Sequence, residues 1–330
     1  MSAPLDWLLA SGGDTRLNLD PETNLNGYGC RPSPRPEAFT FASSTATSIS
    51  DRAYAAAARA RIMMLREAPK IGLDRAADDQ LEQMRHELKE TLGLGGSGCA
   101  VVFSPSGTDS QLHALFVARA LLGTPLVSVI AAADETGSGA MFATRGRHFN
   151  AITAHGVTVS KGEPIRGLAD GVEGKLVPLR DDDGGLRPVD NVDGDVCHTI
   201  GRSVAAGKRV ALFAMDSSKF GLRSPSNDCL RWIADAAGDE VLLVIDACQA
   251  RLSRRRLAWY LERGCLVLIT GSKFFTGAPF SGALLIPDRL AARCARLTDV
   301  PDGLGAYSGQ SDWPRRFAGI RAALPAQVNL

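Results

Sequence analysis

The sequence predicts an α/β fold, a mostly parallel sheet of the seven-stranded type with helices on both faces. The first observation is that short apolar segments alternate with segments of helical periodicity between residues 99 and 286. The second is that the apolar segments are hydrophobic throughout, as in strands buried on both faces of a parallel sheet. With 330 residues, 45% of them hydrophobic, the chain can build one large core or two modest ones.

An irregular arm and two helices are predicted ahead of the sheet. Residues 24–36 are rich in glycine and proline, which indicates a loop. Residues 43–50 form a Ser/Thr tract that can cap a following helix. Apolar spacing then predicts helices over 51–68 and 76–92, and Gly93 ends the second of them.

Strands and helices alternate along the rest of the chain. The strands are predicted at 99–103, 126–132, 175–179, 209–215, 241–245, 266–270 and 282–286. Helices are predicted at 109–122, 192–206, 227–237 and 257–263, and the acidic, glycine-rich residues 181–195 indicate a surface loop. Ligands of such sheets bind beyond the carboxyl ends of the strands. We therefore expect the functional site after residues 103, 215, 245 and 269.

The composition argues against several classes of function. The 37 basic and 36 acidic side chains leave a net charge of +1, which gives no indication of nucleic-acid or anionic-membrane binding. The seven cysteines form no CxxC pair, so we expect no metal site. Their odd number and the absence of a secretory signal predict a reducing, cytoplasmic environment. No apolar stretch approaches the ~20 residues of a membrane span, and the basic run at 254–256 predicts a solvated helix face.

A lysine and an aspartate each follow a predicted apolar strand. Asp246 ends the strand at 241–245, and Lys273 follows the strand at 266–270, 27 positions later. A lysine at a strand end can form a Schiff base with a carbonyl, unless its amine simply extends to solvent. A buried carboxylate needs a cationic partner, such as a protonated pyridine nitrogen or Arg251, unless it only caps the next turn. Together they predict pyridoxal phosphate (PLP) as the cofactor.

A small-residue turn precedes the predicted helix at 109–122. It carries Ser106, Gly107 and Thr108, and a helix N-terminus of this kind suits a phosphate, although such a turn is often only a helix cap. Residues 93–98 match the spacing GxGxxG, but they follow a helix and precede a strand. The dinucleotide fingerprint requires the reverse order, so we interpret this segment as a connection.

In this order, the Ser-Gly-Thr turn, Asp-x-x-Gln and Thr-x-Ser-Lys resemble the fold type I PLP-dependent enzymes, most of all the class V aminotransferase and cysteine desulfurase group. The resemblance covers residues 51–287. It implies that Lys273 is the catalytic lysine that binds the cofactor, that Asp246 pairs with the pyridine nitrogen and that Gln249 contacts the phenolic oxygen. It also implies a phosphate site made by Ser106, Gly107, Thr108, Thr270 and Ser272.

The resemblance further implies a homodimer with its active site near the interface. In such a dimer the group takes one phosphate contact from the partner subunit, and Ser308 is our candidate for it. The group often has a histidine before the lysine, where this chain has Ser272. No ring occurs at 133–139, so either Thr136 or another residue is expected to cover the cofactor. The asparagine expected near the phenolic oxygen is replaced within 216–221, where Ser218 is our candidate.

The part of the chain beyond Lys273 is short, at 57 residues. The group places a smaller α/β domain there, with an arginine for the substrate carboxylate. We therefore divide the chain into an arm (1–50), a PLP-binding large domain (51–300) and a C-terminal segment or truncated small domain (301–330). This predicts either a fragment or an unusually short protein. The candidates for binding the carboxylate are Arg31 and Arg251, with Arg35, Arg315, Arg316 and Arg321 as further possibilities.

The predicted function is a PLP-dependent reaction on a small amino acid or amine, with transamination through Lys273 as the leading hypothesis. No cysteine follows Cys294, which argues against a cysteine desulfurase. Three alternatives stay open. One is a lyase of the same fold that catalyses elimination or decarboxylation. Another is a catalytically silent PLP-fold protein that binds a ligand or partner. The last is a sugar or nucleotide binder that uses the same helix N-terminus.

Overall fold

Seven strands form one sheet in the computed structural model, which describes residues 3–39, 47–236 and 238–326. The strands are β1 (Ala100–Ser104), β2 (Leu126–Ala131), β3 (Val172–Val177), β4 (Arg209–Met215), β5 (Val241–Asp246), β6 (Leu266–Thr270) and β7 (Gly282–Ile286). They lie in the order β1-β7-β6-β5-β4-β2-β3. Neighbours from β3 to β6 are parallel, and β7 is antiparallel to both β6 and β1. The predicted mostly parallel, seven-stranded sheet is confirmed.

The central strands form where the sequence is apolar throughout. Every residue of β2, β6 and β7 is buried, because helices cover both faces of the sheet there. β3 differs, since it lies at the sheet edge and carries Glu173 and Lys175 between its apolar residues. Its paired segment begins three residues before the predicted 175–179, because edge pairing does not require a continuous apolar run.

Ten α-helices accompany the sheet within the described ranges. They are α1 (Leu5–Leu9), α2 (Asp51–Ile71), α3 (Leu73–Leu92), α4 (Gly107–Leu122), α5 (Ala140–Ala143), α6 (Val189–Ala205), α7 (Asn227–Ala236), α8 (Arg254–Glu262), α9 (Asp288–Cys294) and α10 (Ala318–Ala323). Helices α4, α9 and α10 pack on one face of the sheet. Helices α3, α6, α7 and α8 pack on the other.

Local capping sets several helix ends. Ser50 caps α2 by accepting a hydrogen bond from the Ala53 N–H, as the Ser/Thr tract predicted, although residues 43–46 of that tract lie outside the described residues. Gly93 ends α3 in the left-handed region, at φ 75°. Ser253 caps α8, so this helix begins at Arg254 and the basic run forms its first turn.

The described part of the C-terminal segment, residues 301–326, packs into the main core. Tyr307, Trp313, Phe317 and Ile320 are buried in the same apolar cluster as α4. Trp313 lies edge-on to Phe116 of α4, with ring centroids 5.6 Å apart. The boundary that we predict at residue 300 therefore does not separate two cores among these residues.

Neither a membrane-crossing helix nor a metal-binding cluster occurs among the described residues. No helix among them is long and apolar enough to cross a membrane. No group of His, Cys, Asp and Glu side chains in the same ranges could hold a metal ion.

Candidate active site

Asp246 and Lys273 lie beyond neighbouring strands at one edge of the sheet. Asp246 is the last residue of β5, and Lys273 comes three residues after the end of β6. The two strands are paired in parallel, with Asp246 opposite Leu268. Because carboxyl ends of parallel strands meet at the same edge, both side chains line one cleft, whose volume is about 380 Å³.

Most of the predicted site residues share this cleft. Its lining includes Ser106, Gly107, Thr108, Thr136, Ser218, Asp246, Gln249, Thr270, Ser272 and Lys273. They come from the start of α4 and the residue before it, from the last residues of β5 and β6, and from the loops after β2, β4, β5 and β6. The topology therefore gathers residues that are up to 167 positions apart in the sequence.

The Asp246 carboxylate is held by two neutral donors. Its Oδ1 accepts from the Cys248 N–H at 3.1 Å, and its Oδ2 accepts from Gln111 Nε2 at 2.9 Å. No lysine, arginine or histidine of residues 3–39, 47–236 or 238–326 forms a salt bridge with it. Each carboxylate oxygen keeps a free lone pair. Asp246 is thus a half-buried carboxyl group without a cationic partner in the described chain, which fits a protonated ring nitrogen.

The Lys273 amine is half-buried and makes no hydrogen bond or salt bridge within the described residues. The N-terminal arm holds its backbone instead. The Thr47 N–H donates to the Ser272 carbonyl at 3.0 Å, and Thr47 Oγ1 donates to the Lys273 carbonyl at 3.2 Å. The Ser50 N–H donates to the Thr276 carbonyl at 2.9 Å. The loop is therefore fixed while the amine stays available.

Helix α4 points its N-terminus into the cleft. Ser106 Oγ accepts from the Asp109 N–H, and the geometry of a first helical turn leaves the N–H groups before it without intrahelical partners. Gly107 packs tightly against the ends of β5 and β6. A Cβ at this position would lie 2.7 Å from Cys248 Sγ and 3.1 Å from Thr270 Cγ2. Free N–H groups and a close backbone suit an anion such as a phosphate.

Three loops around the cleft contain a non-glycine residue in the left-handed region. These are Ala132 after β2 at φ 55°, Ala250 after β5 at φ 53° and Thr276 after β6 at φ 52°. Such a residue costs about 1–2 kcal/mol and persists only where its surroundings fix it. Backbone strain of this kind concentrates at functional sites, which agrees with the position of the cleft.

Several of the predicted hydroxyls already have partners. Thr270 Oγ1 donates to the Cys248 carbonyl at 2.6 Å, and Thr136 Oγ1 donates to the Ala133 carbonyl at 2.9 Å. Ser218 Oγ accepts from two backbone N–H groups of its own turn. Ser272 and Gln249 are buried in the lining. Thr270, Thr136 and Ser218 thus shape the walls of the cleft at least as much as they offer free donors to it.

Three predicted site residues lie elsewhere. Ser308 is fully buried, and its hydroxyl accepts from Trp313 Nε1 at 2.8 Å, which argues against the expected contact with a partner subunit's phosphate. Arg251 is exposed and stacks on Phe274, with its guanidinium carbon 4.2 Å from the ring centroid. Arg31 is half-buried outside the cleft lining. Neither arginine is placed to bind a substrate carboxylate in the cleft.

The structure adds Arg16, which the sequence analysis missed. This arm residue lines the cleft between the rings of Phe149 and Phe280, at 5.5 and 4.7 Å from their centroids. Its Nε and Nη2 donate to the Asp14 carboxylate, and Nη2 also donates to Ser106 Oγ at 3.0 Å. Nη1 has no hydrogen-bond partner among the described residues. An arginine in a long arm without periodicity gave no signal in the sequence.

Two acidic side chains near the cleft were also not predicted from the sequence. Burial raises the pKa of Asp109 to about 6, and the charge of Arg16 opposes this rise. Glu135 is buried and paired with Arg180 at 2.8 Å. A third titratable group, Cys248, has its pKa raised well above the usual value by burial and by Asp246, so its thiol stays protonated. This cysteine is therefore a poor nucleophile.

Comparisons with known proteins give matches in structure alone. No family model matches the sequence, and no curated protein matches it either. Tryptophan decarboxylase of Catharanthus roseus, solved with L-tryptophan, superposes with a TM-score of 0.50 at 18% identity, over 77% of this chain and 52% of that chain. This likeness shows a shared fold. The chain thus spans about half the length of the plant enzyme.

Other solved structures match with lower scores. The putative histidinol-phosphate aminotransferase of Erwinia carotovora atroseptica has a TM-score of 0.48 at 15% identity, over 86% of this chain and 67% of that chain. TDC of Oryza sativa, solved with PLP, also has a TM-score of 0.48, at 16% identity over 84% of this chain and 57% of that chain.

Proposed function

We propose that this chain binds PLP through Lys273 and catalyses a reaction of a small amino acid or amine. The observation that carries the proposal is the shared cleft. An amine and a carboxylate, each without an oppositely charged partner among the described residues, line it together with the N-terminus of α4. This set of groups fits the aldehyde, the ring nitrogen and the phosphate of PLP.

The roles follow from the contacts described above. Asp246, positioned by Gln111 and the Cys248 N–H, would hold a proton on the ring nitrogen. Gln249 would contact the phenolic oxygen. The first-turn N–H groups of α4, with Ser106, Gly107, Thr108 and Ser272 around them, would bind the phosphate. Thr270, Thr136 and Ser218 would shape the walls.

When bound, PLP supplies an electron sink for the electrons of a bond broken at the substrate Cα. The chain's own contribution to the reaction is proton transfer. Once released from the cofactor, the Lys273 amine would take the proton from Cα and return it to the neighbouring cofactor carbon. The hydrogen bonds from Thr47 to the Ser272 and Lys273 carbonyls would hold the backbone of Lys273 in place during this transfer.

We place the chain with the class V aminotransferase-like group and propose transamination as its reaction. The buried, protonated Cys248 is a poor nucleophile, which supports transamination over desulfuration in this proposal. We further propose that the protein acts in the cytoplasm as a homodimer. The odd number of cysteines supports a reducing compartment, because seven thiols cannot all pair within one chain. The chain spans about half the length of the plant decarboxylase. Any activity of a longer, complete enzyme is therefore part of this proposal as well.

Visible absorbance of the purified protein tests the cofactor assignment. We expect added PLP to give a coloured protein, and borohydride reduction to fix the cofactor on the peptide that contains Lys273. Lys273→Ala should abolish the Schiff-base absorbance and the reduced label on that peptide, because both need the covalent bond to that amine. Lys219→Ala is the matched control, since Lys219 also lines the cleft but is exposed, and it should retain them. A colourless wild type with excess PLP would refute the proposal.

A substrate screen on the coloured protein tests the reaction. Transamination predicts a keto acid from the amino acid only when a keto-acid acceptor is present. Release of CO2, or of ammonia with pyruvate, in the absence of an acceptor would identify a lyase instead. A coloured protein whose spectrum no amino acid or amine changes would identify a silent PLP-binding protein.

A further inference from the structure

Two thiols on the side of the sheet that carries α6 and α7 lie in contact. Cys197 of α6 and Cys229 of α7 have their Sγ atoms 3.5 Å apart. Both are half-buried, whereas the other five cysteines of the chain are buried. Since all seven positions fall in described ranges, this is the pair that combines proximity with access to a small reagent.

Neighbouring hydrogen bonds fix the two helices around this pair. Asp193, one helical turn before Cys197, accepts from the Ser226 N–H at 2.8 Å. Ser226 Oγ in turn accepts from the Cys229 N–H at 3.1 Å, which caps the first turn of α7. On one face of α6, the Asp193 carboxylate therefore contacts Ser226, the residue before α7. The Cys197 thiol on the same face contacts Cys229 in the first turn of α7.

We propose that Cys197 and Cys229 form a reversible disulfide, an oxidative modification site that ties α6 to α7. A disulfide requires a sulfur–sulfur distance of about 2.05 Å, so the two sulfur atoms must approach by roughly 1.5 Å. Rotation of the two side chains and a small shift of α7 can supply this movement, because α7 packs at the surface with Trp232 62% exposed.

The oxidant belongs to the class of hydroperoxides, and the reaction balances in two steps. The Cys197 thiolate attacks hydrogen peroxide, an S–O bond forms as the O–O bond breaks, and hydroxide leaves and becomes water after protonation. The Cys229 sulfur then attacks the Cys197 sulfur, the S–S bond forms as the S–O bond breaks, and water leaves with the Cys229 proton. Both sulfur atoms are oxidised, and one peroxide is reduced to two water molecules.

The surroundings of the pair set the pH dependence of this oxidation. Burial, the Cys197 hydrogen bond and the charge of Asp193 raise the pKa of the Cys229 thiol above its usual range. Because the thiolate is the reactive form, the step in which Cys229 attacks accelerates as the pH rises.

Mass spectrometry of peroxide-treated wild-type protein tests the proposal directly. We expect a loss of about 2 Da, the two thiol hydrogen atoms, and a cross-linked peptide pair that contains Cys197 and Cys229. Dithiothreitol should reverse both changes. Cys197→Ser and Cys229→Ser should each abolish the cross-link, while Cys30→Ala, at a buried cysteine elsewhere, should retain it. Stable sulfinic acid at Cys197, or a cross-link between other cysteines, would overturn the proposal.

Two physical measurements test the consequence for the fold. The disulfide should raise the melting temperature of the wild type by several degrees relative to treated Cys197→Ser, since it closes a loop in the unfolded chain. It should also slow chymotrypsin cleavage after Phe220 several-fold. Phe220 is 75% exposed in the loop that brings Ser217 and Lys219 to the cleft and ends at Ser226. Equal cleavage rates with and without the cross-link would show that the disulfide does not restrain this loop.

Discussion

Arg16 is the residue that most changes the interpretation of the cleft. Asp14 takes the Nε–Nη2 edge of its guanidinium, while Nη1 keeps its donors free among the described residues. Burial lowers the pKa of Arg16, but hydrogen bonding to Asp14 and its charge outweigh burial and keep the guanidinium charged. We therefore propose Arg16, in place of Arg31 or Arg251, as the group that binds a substrate carboxylate.

Arg16→Gln tests this assignment. We expect KM for an amino acid to rise by at least about tenfold, the loss expected when a charge-assisted hydrogen bond is removed. KM for the matching amine without a carboxylate should stay unchanged, as should the affinity for PLP. Arg16→Lys should recover part of the loss. Weaker PLP binding with an unchanged ratio of the two substrates would instead assign Arg16 to the phosphate.

Residues differ in how far the sequence predicts them. Lys273 and Asp246 were predictable because each directly follows an apolar strand, so their position at the sheet edge depends on a local pattern. The carboxylate arginine was not, because the path of the arm back to the cleft depends on contacts between distant residues. Arg16 and Ser106, for example, are 90 positions apart.

At the scale of elements, the C-terminal segment contains structure that a local sequence pattern does not predict. All seven strands and the longer helices were predicted, and β6 and β7 have the predicted bounds. The short helices α9 and α10 were not, since α10 has six residues and too little periodicity to identify. Residues 301–326 complete the core because Trp313 and Phe317 pack against α4. A local pattern along the chain does not reveal this contact.

The same segment buries Asp312, with consequences for stability. Burial raises its pKa to about 7, while the Gly309 N–H and the charge of Arg85 oppose this rise. The folded state therefore keeps the proton at pH values where the unfolded chain has released it. Stability from this group is present below the unfolded pKa of 3.8 and is lost as the pH rises through the folded value.

Asp312→Asn should remove this dependence, because an amide has no charge to bury. As the pH rises from 4 to 8, the unfolding free energy of the wild type should fall relative to the variant by about 2–4 kcal/mol. Urea titrations at several pH values measure the difference. Asp299→Asn, at an exposed carboxylate, is the control and should follow the wild type. A constant difference between wild type and Asp312→Asn across this range would contradict the prediction.

At the scale of the whole molecule, α2 carries several large apolar side chains that the described chain leaves exposed. None of its residues is buried, and Ile62, Met63 and Ile71 are 45%, 53% and 44% exposed. Leu73 at the start of α3 is also exposed, at 52%. Exposed apolar side chains are frequent at interfaces, so we propose that α2 and the start of α3 form the contact of the homodimer.

Light scattering after gel filtration tests the dimer. The wild type should have twice the mass of one chain, and Met63→Glu should shift the population towards monomers, because a charge would be buried in the contact. Glu67→Gln on the same helix should leave the dimer intact, since Glu67 is an exposed polar side chain. A wild type that is monomeric throughout would exclude this interface.

The hydrogen bonds between the arm and the loop that carries Lys273 also affect how the protein folds. Thr47 and Ser272 are 225 positions apart. Strands β4, β5 and β6 follow one another closely in the sequence, so the centre of the sheet can pair early. This contact must close a loop that contains six of the seven strands, and the entropic cost of closing that loop delays it. We expect the lysine loop to mature last, so a chain with a complete sheet can still lack a formed active site.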